Sequence, residues 1–267
     1  MIDFTSIEQM LRDTEASALP LWENILLSDC EAQGITRETS FHKMSAMLAV
    51  MRQADEDYRE EDRSHSGLVG GDGGKMARYG LAGGTLCGPF LTDVMAGALR
   101  MGECNACMKR IVAAPTAGSC GVLPAVLLPY GRHFGADENT LVEALYVAAG
   151  FGMVLAHRAS ISGAEGGCQA EIGSASAMAV KNLLGLVCDP VGGLVEVPCV
   201  KRNVIGAMNA LSAAQMALAG IESRVPADQV LDAMREVGES LPPSLRETGK
   251  GGLAATHFGR QYAPKDE

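Results

Sequence analysis

Apolar residues in this chain recur at the three- and four-residue spacing of helices and almost nowhere alternate with polar ones. Outside the short segment Leu194 to Val197, no stretch of five or more residues shows the period of two that a half-buried strand requires. No longer unit repeats either. What the helices have to pack with narrows the fold further. Hydrophobic residues fill 47% of the 267 positions, yet only 4% are aromatic. The core must therefore be built from Ala, Leu, Val and Met, and small side chains let helix backbones come close. The expectation is a mainly α protein, a single helical domain over residues 1–267.

The periodicity predicts helices over residues 3–18, 21–32 and 37–54, with Met44, Met47, Leu48 and Met51 as a core-facing stripe. The charged stretch Asp55 to Arg63 reads as the solvated end of the third helix. Further helices are expected over Phe90 to Val112, Asn139 to Arg158 and Arg202 to Ile221. Gly150-Phe151-Gly152 should interrupt the second of these. Pro226 suits the first position of a last helix running to about Gly238. The most apolar run, Leu141 to Ala156, contains Glu143 and stops at His157-Arg158, too short and too polar for a membrane span. His157 fits a helix C-terminus, where a protonated ring is favoured.

Charge excludes some functions. A net charge of −10 argues against nucleic acid, whose binding rests on Lys and Arg neutralising phosphates, and against anionic membrane surfaces. The eight cysteines accompany no signal-peptide pattern, so reduced thiols and a cytoplasmic location are expected.

Four glycine-rich segments punctuate the helices. Ser64 to Lys75 carries His65, Asp72 and Lys75 but lacks the spacing of a phosphate-binding P-loop. It is either a flexible connector or a loop that brings His65 or Lys75 to a substrate. Ala114 to Gly121 leads into an apolar segment. If that segment is a helix, its free N–H groups with the Thr116 and Ser119 hydroxyls could cradle a carboxylate; a plain N-cap is the compatible alternative. Leu241 to Gly259 is glycine-rich and lacks cysteine.

The remaining segment, Gly163 to Cys199, sets Cys168, Cys188 and Cys199 on glycine- and proline-rich turns. Thiolates select soft metal centres, and three rather than four of them would leave one metal position open. The alternative is three buried apolar cysteines, because separations of 20 and 11 positions (168 to 188 to 199) match no simple zinc spacing. Cys104 and Cys107 form a C-x-x-C within an expected helix, with no second pair to complete four ligands, and read as structural.

The motifs SHSGLVGGDGGK, APTAGSCGVLPAV, SISGAEGGCQAEIGSASAMA, LGLVCDPVGGLVEVPCVKRN and LRETGKGGLAAT resemble the α chain of the iron–sulfur-dependent bacterial L-serine dehydratases. The likeness runs from about residue 5 to the C-terminus. It implies a helical fold whose glycine-rich loops converge on a [4Fe–4S] cluster, no pyridoxal phosphate, a β partner and an oligomeric assembly. It also implies that Cys168, Cys188 and Cys199 hold the cluster while its fourth iron meets L-serine. The turn with Thr116, Gly118 and Ser119 would then take the carboxylate. His65, or failing it Lys75, would act as base, unless the β partner supplies one. The interval between Cys168 and Cys188 is shorter than in that family by about one hairpin, and no C-terminal cysteine stands ready for the fourth iron. Two other readings stay open: a related lyase acting on L-cysteine, L-threonine or a hydroxy acid, and a non-catalytic iron–sulfur or zinc module.

Overall fold

The computed structural model describes residues 2–159, 161, 196–242, 246–249 and 251–263. Helices dominate it, and no strand forms among the described residues. The long ones are α1 (Ile7–Ser17), α2 (Leu21–Gln33), α3 (Arg37–Glu56), α4 (Asp72–Leu81), α5 (Gly88–Ala106), α6 (Val122–Phe134), α7 (Glu138–Arg158), α8 (Cys199–Leu218) and α9 (Ala227–Ser240). A 3-10 turn (Gly252–Ala255) and the short α10 (His257–Arg260) follow.

Local chemistry sets the helix starts. Ser6, Thr36 and Asp137 each accept a hydrogen bond from the N–H three residues on, capping α1, α3 and α7. Pro226 is the cap of α9 rather than its first helical residue, since Ala227 begins the helix. α5 stops earlier than expected. Met108 adopts a left-handed φ of 60°, and the Lys109 N–H turns back to the Cys104 carbonyl at 2.9 Å, closing the helix.

Two packing units result. In the first, α1, α2, α3, α7 and α9 enclose Met10, Leu26, Leu48, Val142, Tyr146, Val154 and Leu231, all buried. Each large aliphatic side chain buried here contributes on the order of 2 kcal/mol. α7 has the length and hydropathy of a membrane-crossing helix, but here it is a core element with Leu141, Leu145 and Leu155 buried. The expected interruption at Gly150-Phe151-Gly152 does not occur. Gly150 is instead a contact point, because a Cβ there would stand 2.4 Å from Ile25 Cδ1.

The second unit is organised around α5, against which α4, α6 and α8 pack. Its core is small: Val94, Ala98, Ala125 and Ala207. Close approach is the rule, since a Cβ on Gly102 would meet Val200 Cα at 3.1 Å and one on Gly121 would meet the Ala98 carbonyl at 2.9 Å. These contacts also fix direction. Gly73 and Gly80, near the two ends of α4, face Arg100 and Thr92 of α5. Phe134 at the end of α6 stacks edge-on with Phe90 near the start of α5, ring centres 5.0 Å apart. α4, α6 and α8 thus all run antiparallel to α5, and their N-termini gather around its C-terminal half. Three positive helix ends therefore share one end of the bundle.

Two charged segments behave differently from expectation. Asp55, read as part of a solvated helix end, is half-buried and pairs with Arg100 at 2.6 Å and Arg132 at 3.2 Å. Tyr58 turns inward and donates to the buried Glu103 at 2.7 Å. In the glycine-rich segment Ser64 to Lys75, the last residues begin α4. Glu103 decides this, accepting from the N–H groups of Asp72 at 2.8 Å and Gly73 at 3.2 Å. A carboxylate supplied by another helix offsets the poor helix propensity of adjacent glycines.

Candidate active site

Cys199 opens α8 at the end where the helix N-termini meet, and it is buried. One turn on, Arg202 and Asn203 lie on the same helical face, both buried. The Arg202 guanidinium donates from Nη1 to Cys199 Sγ at 3.7 Å and pairs with Glu247 at 3.6 Å. A cation and a helix N-terminus both favour a thiolate, the form a soft metal centre needs. Cys199 is therefore a thiol suited to a soft metal centre. Cys168 and Cys188 lie outside the described residues, and among the described ones no group of three metal-binding side chains converges.

Asn203 joins this helix to the turn before α6. Its Nδ2 donates to the carbonyls of Gly118 at 2.9 Å and Cys199 at 3.1 Å, while its Oδ1 accepts from the Gly121 N–H at 2.8 Å. Asn105 Nδ2 donates to the Ala117 carbonyl at 2.7 Å. Because a trans peptide points its C=O and N–H in opposite directions, holding these two carbonyls turns the Gly118 and Ser119 N–H groups to the other side. Adjacent N–H groups of this kind are the donors an anion-binding nest would use. Thr116 is half-buried and its hydroxyl meets Ser119 Oγ at 3.0 Å. Ser119 is fully buried, so its hydroxyl braces the turn from within.

The loop with His65 is tied to the residues just before Cys199. Ser64 N–H donates to the Val69 carbonyl at 2.9 Å, and Gly67 N–H donates to the Ser64 carbonyl at 2.9 Å. Gly70 has φ 134°, and a Cβ there would lie 2.1 Å from the Asp62 carbonyl, so only glycine can occupy it. Glu196, buried and three residues before Cys199, accepts from Ser64 Oγ at 2.8 Å and from Ser66 Oγ. His65 lies between these two serines with an exposed side chain. Lys75 lies on α4, exposed, its Nζ 2.9 Å from Asp72 Oδ1, and this ion pair holds the Asp72 carboxyl below its ordinary range. Lys201 Nζ approaches the same carboxylate at 3.7 Å.

Of the residues singled out from sequence, Gly118 and Cys199 are joined through Asn203, with Thr116 and Ser119 on the same turn as Gly118. The serines on either side of His65 bond Glu196, three residues before Cys199, and Lys75 pairs with Asp72 on α4. Sequence reading missed the residues around them: Glu196, Arg202, Asn203, Glu103 and Tyr58. One signal was present, since Arg202 and Asn203 stand three and four positions after Cys199, on its face of a mostly apolar helix. Tyr58 has its hydroxyl pushed well above the ordinary range by burial and by its bond to Glu103. Burial pushes the Cys104 thiol up to about 11, and Cys107 is also raised by burial, so this C-x-x-C holds protonated thiols.

Comparison with known proteins places the chain in a family. The family model described as the serine dehydratase alpha chain matches residues 16–181 and 179–254. The chain belongs to that family. It is 43% identical to a Bacillus subtilis protein named "Probable L-serine dehydratase, alpha chain", with 98% of this chain and 95% of that one covered. It is 38% identical to the "L-serine dehydratase, alpha chain" of Peptoniphilus asaccharolyticus over 91% of each chain. With "L-serine dehydratase 2" of Escherichia coli it shares 42% identity over 59% of its own length and 40% of that protein's. The two segments matched by the family model overlap at residues 179–181, inside the Cys168 to Cys188 interval. The Bacillus alignment runs over 284 positions against a chain of 267, so that relative carries residues this chain lacks.

Proposed function

We propose that this chain is the α chain of a cytoplasmic L-serine dehydratase, working with a β partner to convert L-serine to pyruvate and ammonia. The observation that carries the reading is the near full-length match to proteins of that name. It is supported by a buried Cys199 bonded by Arg202, tied through Asn203 to the Gly118 turn and preceded by Glu196, which bonds the serines beside the exposed His65.

Serine dehydration has two difficulties: the α-proton is weakly acidic, and hydroxide leaves poorly. Cys199, with Cys168 and Cys188, would hold a [4Fe–4S] cluster. When bound, that cluster supplies a Lewis acid at its fourth iron for the serine hydroxyl. The Gly118 and Ser119 N–H groups, with Thr116, take the substrate carboxylate and so orient the α-carbon. His65 removes the α-proton as general base, with Lys75 the second candidate within this chain. The resulting aminoacrylate tautomerises to an imine, which water hydrolyses to the two products. Pyridoxal phosphate has no part in this scheme.

The test is anaerobic purification of the full chain with its partner, quantification of iron and sulfide, and a pyruvate-release assay on L-serine. Cluster-loaded protein that releases pyruvate is the expected result. Protein loaded with zinc, or loaded with iron but inert towards serine, would overturn the reading.

A further inference from the structure

Glu196 reaches the site without being aimed at it. Its carboxylate is buried, and the two hydroxyls it receives belong to the residues on either side of His65. Each serine hydroxyl has one proton to give, and both give it to Glu196. The same hydroxyls accept from the loop's own N–H groups, Ser64 Oγ from Val69 at 3.2 Å and Ser66 Oγ from Leu68 at 3.2 Å. Two relays, each from N–H through hydroxyl to carboxylate, therefore end on one oxygen atom, and linked hydrogen bonds strengthen one another in a buried setting. Glu196 is also tied to Cys199, because its carbonyl accepts the Val200 N–H at 3.2 Å and so belongs to the first turn of α8.

We propose that Glu196 is a positioning residue that clips the His65 loop to the Cys199 turn. Fixing the neighbours of His65 on both sides leaves its backbone little freedom, so the imidazole projects from a defined point beside the metal-binding end of α8. Displacement of a base by about 1 Å can cost on the order of a hundredfold in rate, while substrate binding through a separate anion nest is spared. This inference rests on the reading of His65 as the base.

The test uses Glu196→Gln, which keeps the shape and one acceptor oxygen, and Ser66→Ala, a half-buried position that tolerates truncation. In the holoenzyme, Glu196→Gln should lower kcat for L-serine by about ten- to a hundredfold with KM within about twofold and iron content unchanged. Ser66→Ala should do the same more weakly, and the double variant should fall short of the product of the two effects, because the relay through Ser66 ends on Glu196 and both substitutions disturb it. In the full chain without cluster, the ring signals of His65, assigned by their loss in His65→Gln, should broaden or shift in Glu196→Gln. Unmoved ring signals together with unchanged kcat would overturn the clip, as would a loss of iron matching the loss of rate. If His65→Gln itself retains the wild-type rate, the base assignment falls, while the ring signals still decide the clip.

Discussion

The two packing units solve the same problem in opposite ways. The α1, α2, α3, α7 and α9 unit fills its interior with large apolar side chains such as Met10, Leu26, Leu48 and Tyr146. The unit around α5 brings backbones so close that alanine and glycine suffice, and it buries Glu103, Glu196, Arg202, Asn203, Ser64 and Ser119 among them. Buried polar groups add little net stability when paired and cost much when left unpaired. Their concentration at one end of one unit marks where the molecule gives up apolar packing for defined geometry, which is where a site belongs.

The sharpest test of this division is Cys199→Ala. It should abolish pyruvate release and iron loading while leaving the helical circular-dichroism signal of the full chain intact; retained activity would remove the distinction between the two ends. Next come Leu48→Ala and Asn203→Ala, each expected to destabilise by about 3 kcal/mol in urea unfolding, the first through a cavity and the second through unpaired buried amide and carbonyl groups. Only Asn203→Ala should also lower the turnover of the folded, loaded enzyme. Equal turnover losses would erase the comparison. Gly121→Ala should cost about 2 kcal/mol by overpacking, since its Cβ would stand 2.9 Å from both Ala98 O and Asn203 Oδ1. Tyr146→Phe, which removes the bond to Ser40 at 2.7 Å in the apolar unit, should cost about 1 kcal/mol with no change in rate.

The smallest effect is a slope. The Cys104 thiol ordinarily ionises near 9 and is held at about 11 in the fold, so the unfolded chain loses its proton first. The stabilising contribution is full below pH 9 and declines as pH rises towards 11. Cys104→Ala should flatten the fall in unfolding free energy across that window, and an unchanged slope would refute the assignment.

Most helices were legible in the sequence because each carries its own signal, the apolar spacing along α1, α2, α3, α7 and α8. α4 was not legible, since Asp72-Gly73-Gly74 has the composition of a loop and its cap, Glu103, comes from a different helix. Gly150 misled in the other direction, because a glycine that admits Ile25 is indistinguishable by composition from one that breaks a helix. Asp55 and Tyr58 looked like surface residues until α5 and α6 supplied Arg100, Arg132 and Glu103 as partners.

By itself, then, the sequence determined the helical class, the candidate ligand Cys199 and the family likeness, since these follow from local spacing and contiguous motifs. Only the tertiary structure decided that Glu196 faces Ser64 and Ser66 and that Asn203 faces Gly118 and Gly121. Those partners stand more than 80 positions apart in the chain, and a hydrogen bond acts over about 3 Å, so close antiparallel packing around α5 had to bring them within reach.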